Sequence, residues 1–468
     1  MIKTLKYVGA VLLACLLFSC GGNSSGGNSG KEITATLSVS PLSLNIPADG
    51  GESDFSITSN QSWSVHSNQS FITITPSSGS GSGKITVTVA ENKSTQKREA
   101  LLTISSSGKK ASITVSQEAA AAKYADNESV VYQKSSKNKP FVIVFTGDGY
   151  TEDMFVKGSG KFDKDLDQAI EHLFSIEPYK TYKDYFTIYK IAAYSKEAGV
   201  SIKRPVRKYK DTRFKCMWEN IDEGGSSSTL IEGDMDAVKE VWSKVPGLSS
   251  DAAQTYAPIC IIINEKIRAG TVEVLPKNLL GAKFGGLDIK TVSMIPLGNE
   301  KQSFESLIQH ELGGHGIGML SDEYAFSSMG EIPDVIKQKL IDLQLYGALG
   351  FGWNLTFVSD GSSSPWSQFL AIQKYKDQGI GMFEGGMNYA KGVWRSSWDS
   401  CMKNNKPYFN VQSRWLIYKR IKTTVGESYS LADFLANDNE TKFELPSSTT
   451  ESPAKEVSYS ELRGHVSF

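Results

Sequence analysis

Short runs in which apolar and polar residues alternate fill the first part of the chain, between residues 34 and 119. A period of two residues is typical of β-strands that are buried on one face. Segments rich in glycine, proline and serine separate the runs and indicate turns. About six or seven short strands at this spacing predict a small β-sandwich. We expect strands at 37–40, 55–58, 72–74, 85–89, 102–104 and 113–115, with Trp63 in the core.

Longer apolar runs alternate with helical periodicity between residues 135 and 425. The runs 140–145 and 257–264 are apolar at almost every position, which is typical of strands buried on both faces. A third run, 291–296, predicts a short strand at a sheet edge. Helices and buried strands in alternation predict a layered α/β domain. We expect its helices at 162–174, 230–245, 304–317 and 409–421.

Asp148 follows the first buried strand in a turn between Gly147 and Gly149. A strand, a glycine turn and a helix N-cap in succession indicate a strand-to-helix junction. The segment is not a phosphate-binding loop, because the Gly-Lys-Ser/Thr ending of such loops is missing. We interpret Asp148 as a turn residue, with a ligand role as the alternative.

The first 20 residues have the pattern of an export signal. Lys3 and Lys6 precede an apolar run from Tyr7 to Phe18, which is shorter than the about 20 residues that span a bilayer. The run ends in a sequence that resembles a bacterial lipoprotein box, whose cysteine, here Cys20, is lipidated. We therefore expect a protein that is lipid-anchored in the bacterial cell envelope, in the outer membrane, facing the periplasm or the outside.

These patterns also predict the boundaries of the segments. We expect a signal peptide at 1–19, the lipidated cysteine and a flexible tether at 20–33, the β-sandwich at 34–119, a linker at 120–134, the α/β domain at 135–425 and a polar C-terminal tail at 426–468.

Composition and charge narrow the classes of function. Lys plus Arg number 50 and Asp plus Glu number 51, so the near-zero net charge argues against nucleic-acid binding. Five cysteines are too few for a disulfide scaffold. Beyond the signal and its lipidated cysteine, Cys216, Cys260 and Cys401 allow one disulfide, with the pairing left open. We expect a monomeric globular protein.

The candidate chemistry lies in a single helix. The chain has only 5 histidines, and His310 and His315 lie together with Glu311 beside the first. Zinc peptidase helices place such histidines four residues apart, whereas five residues at about 100° each leave the rings about 140° apart. A π-bulge absorbs one extra residue, and Gly313 and Gly314 make that distortion easier. We therefore predict one metal ion bound by both imidazoles on a distorted helix.

A third ligand is expected shortly after this helix. Catalytic zinc has three protein ligands and one open position, and Gly316 and Gly318 allow the chain to turn back sharply. Asp322 is the preferred third ligand and Glu323 the alternative, the other residue orienting a ligand from behind. Glu311 is the expected general base, which takes a proton from water and passes it to the leaving amine.

Taken together, these motifs resemble the immunoglobulin-A peptidase family of zinc metallopeptidases, a metzincin-like group. The resemblance implies peptide-bond hydrolysis, one catalytic zinc ion and Asp322 as third ligand. The family helix often has the four-residue spacing, from which this chain departs. The five-residue spacing also occurs in the zinc-binding helix of the dipeptidyl peptidase III family, so the departure does not imply inactivity. The matching residues are 145–150, 185–186, 188–189, 310–315, 322–324 and 400–402.

Further site residues follow downstream. By the same resemblance, Met402 is the methionine of a tight turn beneath the metal. Tyr389 and Arg395 are candidates for stabilising the oxyanion of the reaction.

The N-terminal module resembles the BACON family of small immunoglobulin-like domains, which often precede catalytic domains in surface enzymes. A spacer role is favoured over weak carbohydrate contact, because the module shows no exposed aromatic platform. The matching residues are Leu37, Pro41, Trp63, the turn 76–83, Asn92, Arg98 and 113–117.

Two functions from different classes remain. The first is a zinc-dependent endopeptidase that cuts extracellular proteins, including host glycoproteins such as immunoglobulin or mucin. The second is a non-catalytic binding protein or adhesin on a metallopeptidase scaffold. The expected partners of the endopeptidase are a protein or glycoprotein substrate and, through the lipid, a membrane.

Overall fold

The computed structural model describes residues 34–221, 227–255, 257–275, 290–345, 350–445 and 466–467. The chain divides into two units, Met1–Ala120 and Ala121–Phe468. The predicted signal peptide, the lipidation site Cys20 and the tether lie outside the described residues. Within the described ranges, no helix combines the length and the apolar character that crossing a membrane requires.

The N-terminal unit consists of two β-sheets around one apolar core. Its strands are β1 Leu37–Ser40, β2 Ser43–Ile46, β3 Gly51–Ser59, β4 Ser62–Ser67, β5 Ile72–Thr75, β6 Ser78–Ser80, β7 Gly83–Val89, β8 Arg98–Ser106 and β9 Lys109–Gln117. One sheet has the order β1-β3-β7-β5 and the other β2-β9-β8-β4-β6. The strands missed by the alternation are β2, β4 and β6, which are short, serine-rich or, in β6, exposed throughout.

Alternation of side chains builds the core of this unit. Phe55 and Ile57 of β3 and Leu102 and Ile104 of β8 are all buried in one cluster. Burying each such side chain contributes roughly 1.5–3 kcal/mol. Trp63 is buried in the same cluster and its indole Nε1 donates to the carbonyl of Gly81 at 2.8 Å, so the prediction of a core tryptophan is confirmed.

A mixed sheet forms the centre of the second unit. The strands of this unit are β10 Ser129–Gln133, β11 Phe141–Asp148, β12 Phe186–Ile191, β13 Ser201–Ile202, β14 Met217–Ile221, β15 Ser227–Glu232, β16 Ile259–Ile263, β17 Thr271–Leu275, β18 Lys290–Pro296, β19 Ala325–Glu331, β20 Leu355–Thr356, β21 Phe383–Gly386, β22 Asn388–Arg395 and β23 Val466–Ser467. The central order is β10-β12-β11-β16-β18-β17-β23. Strands β12, β11, β16 and β18 are parallel, and β17 pairs antiparallel with β18.

Helices cover both faces of this sheet. They are α1 Lys161–Leu173, α2 Met235–Trp242, α3 Asp251–Gln254, α4 Phe304–Leu307, α5 Asp334–Gln344, α6 Gln373–Asp377, α7 Cys401–Asn404, α8 Val411–Thr424 and α9 Leu431–Asn437. A π-helix, Ile308–Ile317, continues α4 directly. In β16, Cys260 and Ile262 pack with α1 and the π-helix, whereas Ile259 and Ile261 pack with α2. Alternate side chains thus enter two cores, which explains the continuous apolar run.

Two predicted elements of this domain are wrong in detail. The run 291–296 was expected at a sheet edge, but β18 lies between β16 and β17 and all its residues are buried. The stretch 230–245 was expected to be one helix, but it begins as β15 and becomes α2 only at Met235. The change occurs because Gly233 interrupts the segment and the side chain of Asp234 caps the helix at the amide of Ala237.

The expected linker and tail are also partly ordered. Strand β10 lies within the expected linker 120–134 and pairs antiparallel with β12. In the expected tail, Ser430 caps α9 by accepting from the amide of Asp433, and Phe434 is buried in the large core. Asp438 then forms a buried ion pair with Arg414 at 2.7 Å. Apolar anchors and several ion pairs therefore hold a segment whose composition is polar.

Candidate functional site

The π-helix places both histidines on one side. Ser303 caps the start of α4 by accepting from the amide of Ser306 at 3.1 Å, and the helix widens from Ile308 onward. In a π-helix, residue i bonds to residue i+5, so residues five apart lie on the same side. The ring centroids of His310 and His315 are 4.9 Å apart. The sequence predicts a single π-bulge, whereas the structure has 10 residues in the π conformation.

Two glycines let other side chains approach this helix closely. A Cβ atom at Gly314 would lie 2.2 Å from Sδ of Met402, and one at Gly313 would lie 3.2 Å from Cε2 of Tyr179. The Tyr179 hydroxyl donates to the carbonyl of Gly313. Met402 is fully buried and therefore packs directly against the helix between the two histidines, where the sequence places its methionine turn.

Both imidazoles converge on one carboxylate. His310 Nε2 lies 3.1 Å and His315 Nε2 lies 3.2 Å from Oδ1 of Asp322, and all three side chains are buried. The other ring nitrogens face backbone carbonyls, His310 Nδ1 that of Cys401 at 2.9 Å and His315 Nδ1 that of Leu320 at 2.7 Å. A ring that donates from Nδ1 and is deprotonated at Nε2 has its Nε2 lone pair available to a metal ion.

The donor set fits a metal ion. The ligand atoms of His310, His315 and Asp322 lie within 4.8 Å of one another. Nε2 of His315 is buried and makes no hydrogen bond to any described residue, and leaving such an atom unsatisfied costs about 1–3 kcal/mol. Two imidazole nitrogens and one carboxylate oxygen are ligands that zinc prefers in open, catalytic sites. These residues could therefore hold the zinc ion that the sequence predicts.

Charge around the histidines also favours a cation. Burial would lower the pKa of His310, but its hydrogen bond to Asp322 and the charges of Glu311 and Asp322 raise that pKa to about 9. Two carboxylates thus stabilise a positive charge between them, whether it is a proton or a metal ion.

Glu311, the predicted general base, is fully buried beside this group. A Cβ atom at Gly270 would lie 2.7 Å from Oε1 of Glu311, so only glycine allows the backbone to lie so close. The amide of Gly270 donates to the carbonyl of Thr229 at 3.1 Å, which fixes this approach. Since Gly270 directly precedes β17, the carboxylate of Glu311 borders the beginning of that strand.

The geometry separates the two candidates for the third ligand. The carboxylate of Glu323 accepts from Ser400, Asn354 and Asn410, whereas Asp322 faces the histidines. The chain returns from the helix through Met319, which has a left-handed φ of 52°. The sequence places this turn at glycines, but Gly316 lies inside the π-helix.

Both candidate oxyanion stabilisers, Tyr389 and Arg395, lie on β22, which is not part of the central sheet. Arg395 is buried and its Nη1 donates to the carbonyls of Glu384 and Gly385 at 2.7 and 2.8 Å, so it holds β21 against β22. Tyr389 is opposite Phe326 in the pairing of β22 with β19 and packs against a separate apolar cluster.

The sequence missed two residues near the candidate ligands. Tyr324 hydrogen-bonds the carboxylate of Asp322, and burial together with that carboxylate raises the pKa of Tyr324. Arg268 interacts electrostatically with Tyr324 and opposes that rise. Tyr324 directly follows the predicted ligand pair, which is a usable signal, but no motif marks Arg268.

Asp148 has a structural role. Its buried carboxylate accepts from Thr212 Oγ1 at 2.8 Å and from the amides of Phe214 and Cys216 at 2.9 and 3.1 Å. Cys216, Cys260 and Cys401, the cysteines within the described ranges, are buried free thiols.

Comparison with known proteins gives two family matches. Residues 130–340 match the family described as IgA Peptidase M64, and residues 61–118 match BACON, described as an N-terminal binding domain. These matches confirm the resemblance drawn from the sequence and support a peptidase function. No curated protein matches the chain.

Similarity to solved structures is weak. The chain is 21% identical to WR4, a C. elegans MSP family member, over 18% of this chain and 97% of that chain, with a TM-score of 0.15. It is 18% identical to a Bacteroides ovatus GH5 xyloglucanase over 48% of this chain and 46% of that chain, with a TM-score of 0.18. Domains 4 and 5 of the S-layer protein SbsC are 20% identical over 18% of this chain and 51% of that chain, with a TM-score of 0.15. The chain thus spans about half the length of the last two, and such TM-scores support no inference.

Proposed function

We propose that this chain, which carries an IgA Peptidase M64 domain behind a BACON domain, is a zinc-dependent endopeptidase. One observation carries the proposal. Nε2 of His310 and Nε2 of His315 lie 3.1 and 3.2 Å from the same oxygen of Asp322, with the buried carboxylate of Glu311 on the same helix. Two imidazoles and a carboxylate, with a second carboxylate on the same helix, are the set that zinc peptidases require.

Each residue has a defined role in this proposal. His310, His315 and Asp322 would hold the ion, which supplies polarisation of the scissile carbonyl and makes water more acidic. Glu311 takes the proton of the attacking water on a carboxylate oxygen. It then delivers that proton to the leaving amine nitrogen as the peptide bond breaks. One water is consumed, and one carboxylate and one amine are released.

The finer fold assignments belong to the same proposal. We assign the two sheets of the N-terminal unit to an immunoglobulin-like sandwich. We assign the second unit to a metzincin-like zincin, because the histidine helix rests on Met402, which a Cβ at Gly314 would approach to 2.2 Å.

Location and substrate are proposed from the sequence. Lipidation at Cys20 would anchor the enzyme to the bacterial outer membrane, where it meets extracellular proteins such as host immunoglobulin or mucin. The N-terminal unit then acts as a spacer. Burial of Trp63 argues against that tryptophan as a platform for stacking sugars.

A second candidate function is a non-catalytic adhesin, and the match of residues 61–118 to a binding domain favours it. The endopeptidase needs the carboxylate of Glu311 for its reaction, whereas the adhesin does not. Glu311→Gln should retain zinc but lose at least about 100-fold in kcat, since general-base catalysis contributes roughly 10²–10⁴. Glu305→Gln, on the same helical segment, is the matched control. Equal cleavage by wild type and Glu311→Gln would sink the enzyme proposal and leave the adhesin.

A further inference from the structure

The carboxylate of Glu323 is fully buried and surrounded by hydrogen-bond donors. Ser400 Oγ donates to one oxygen at 2.5 Å and Asn354 Nδ2 to the other at 2.9 Å. Asn410 Nδ2 donates to both, at 2.8 and 2.9 Å. Burial raises the pKa of the Glu323 carboxyl, and these donors oppose that rise. A buried carboxylate is tolerated only where hydrogen bonds or an opposite charge compensate for the loss of water, and these three residues supply such hydrogen bonds.

The turn around Cys401, which is Ser400–Met402 at the start of α7, bonds to both chain segments that carry the candidate metal ligands. His310 Nδ1 hydrogen-bonds the carbonyl of Cys401 at 2.9 Å. The amide of Glu323 donates to the carbonyl of Met402 at 2.8 Å. His310 belongs to the π-helix, whereas Glu323 directly follows Asp322 in the chain. One turn is therefore bonded to the two segments that carry the candidate ligands.

We propose that Glu323 is a positioning residue for this metal centre. Through Ser400, its carboxylate fixes the turn around Cys401 against the backbone that carries Asp322. The turn then holds the ring of His310 by Nδ1, so that Nε2 faces Asp322. Hydrogen bonds behind metal ligands contribute roughly 10- to 100-fold in metal affinity. The inference rests on the proposed function only in that the centre binds a metal ion, and it is independent of the substrate.

The first test is Glu323→Gln, which keeps the shape of the side chain. Ser400, Asn354 and Asn410 donate to Glu323, so the new amide NH₂ would face donors. We expect the dissociation constant for zinc, measured by chelator competition, to rise about 10- to 100-fold. With Co²⁺ as a probe, the visible absorption bands should shift, because they report the arrangement of the ligands. In cleavage assays at saturating zinc, kcat should fall while KM stays near the wild-type value.

A second variant exchanges the carboxylate and the amide between positions 323 and 410. In Glu323→Gln/Asn410→Asp, the new amide can donate to the new carboxylate. Asn410 Oδ1 accepts from the amide of Ser413 at 2.9 Å, and an aspartate at 410 can keep that cap on α8. We expect the double variant to recover most of the zinc affinity and the wild-type Co²⁺ spectrum. A change of stability alone would not produce that recovery.

Asp148→Asn is the matched control, because Asp148 is an equally buried carboxylate that accepts from Thr212, Phe214 and Cys216. It should lower the melting temperature and leave zinc affinity unchanged. Wild-type affinity and Co²⁺ spectrum in Glu323→Gln would overturn the proposal, as would an equal loss of affinity in Asp148→Asn. If wild type binds zinc but cuts no peptide, the endopeptidase proposal fails, while the effect on zinc affinity still decides the role of Glu323.

Discussion

Gly314 and Met402 are in contact so close that no side chain fits between them, since a Cβ atom at Gly314 would lie 2.2 Å from Sδ of Met402. The contact lies between the two histidines of the π-helix. It explains a glycine at a position where helix propensity alone would disfavour it by about 1 kcal/mol. The packing of Met402 thus excludes any side chain at position 314.

Gly314→Ala should therefore destabilise the protein despite its better helix propensity. Overpacking a buried site costs about 1–3 kcal/mol, and the added methyl group would displace the helix or Met402. Urea denaturation measures the cost, and chelator competition measures the accompanying loss of zinc affinity. In Gly314→Ala/Met402→Ala the clash is gone, so the added cost of the alanine at 314 should largely disappear. An equal cost in both backgrounds would refute this explanation.

Deleting Gly314 tests the spacing itself. The deletion restores four residues between the histidine positions, but in the π-helix it is the five-residue spacing that brings the rings of His310 and His315 within 4.9 Å. We expect zinc affinity and peptide cleavage to fall at least about 100-fold, a loss of about 2.7 kcal/mol. Full activity in the deletion variant would show that an ordinary helix serves equally well.

The placement of the candidate site residues was predictable where they are close in the sequence. His310, Glu311 and His315 lie in one helix, so their pattern is visible without the fold. Continuous apolar runs likewise identified β11 and β16. The length of the π-helix was not predictable from the local spacing, and its glycines contact Met402 and Tyr179, which are distant in the chain.

The surroundings of Glu323 show the same limit more clearly. Its donors Asn354, Ser400 and Asn410 follow it by 31, 77 and 87 residues, and no local spacing relates them. The edge position expected for 291–296 was wrong for a similar reason, since β17, which pairs with that edge, was not among the expected strands.

Asp438 should anchor the C-terminal segment to the peptidase domain. Its carboxylate and the guanidinium of Arg414 each have a side-chain exposure of 1%. Removing one partner of such a pair leaves a buried charge and costs about 3–5 kcal/mol. Asp438→Ala should show that loss in urea denaturation, whereas exposed Asp377→Ala should stay near wild type. A loss below about 1 kcal/mol would mean that Arg414 finds other partners.

Glu427 should make stability depend on acid pH. Hydrogen bonds from Lys137 and Lys422 lower its pKa from 4.5 to about 2. The lowered pKa means that its contribution is complete above about pH 4.5 and is lost as pH falls towards 2. Glu427→Gln should flatten the decline of unfolding free energy across that window, measured on metal-free protein. The exposed Glu300→Gln is the control, and an unchanged slope in Glu427→Gln would contradict the assignment.

The central claim is that His310, His315 and Asp322 bind one zinc ion. Anomalous diffraction from crystals at the zinc absorption edge tests it most directly. We predict a single strong peak within ligand distance, about 2.0–2.2 Å, of Nε2 of both histidines and of Oδ1 of Asp322, and its loss in His315→Ala. A map from zinc-supplied crystals without a peak there, or with its only peak at other residues, would contradict the claim.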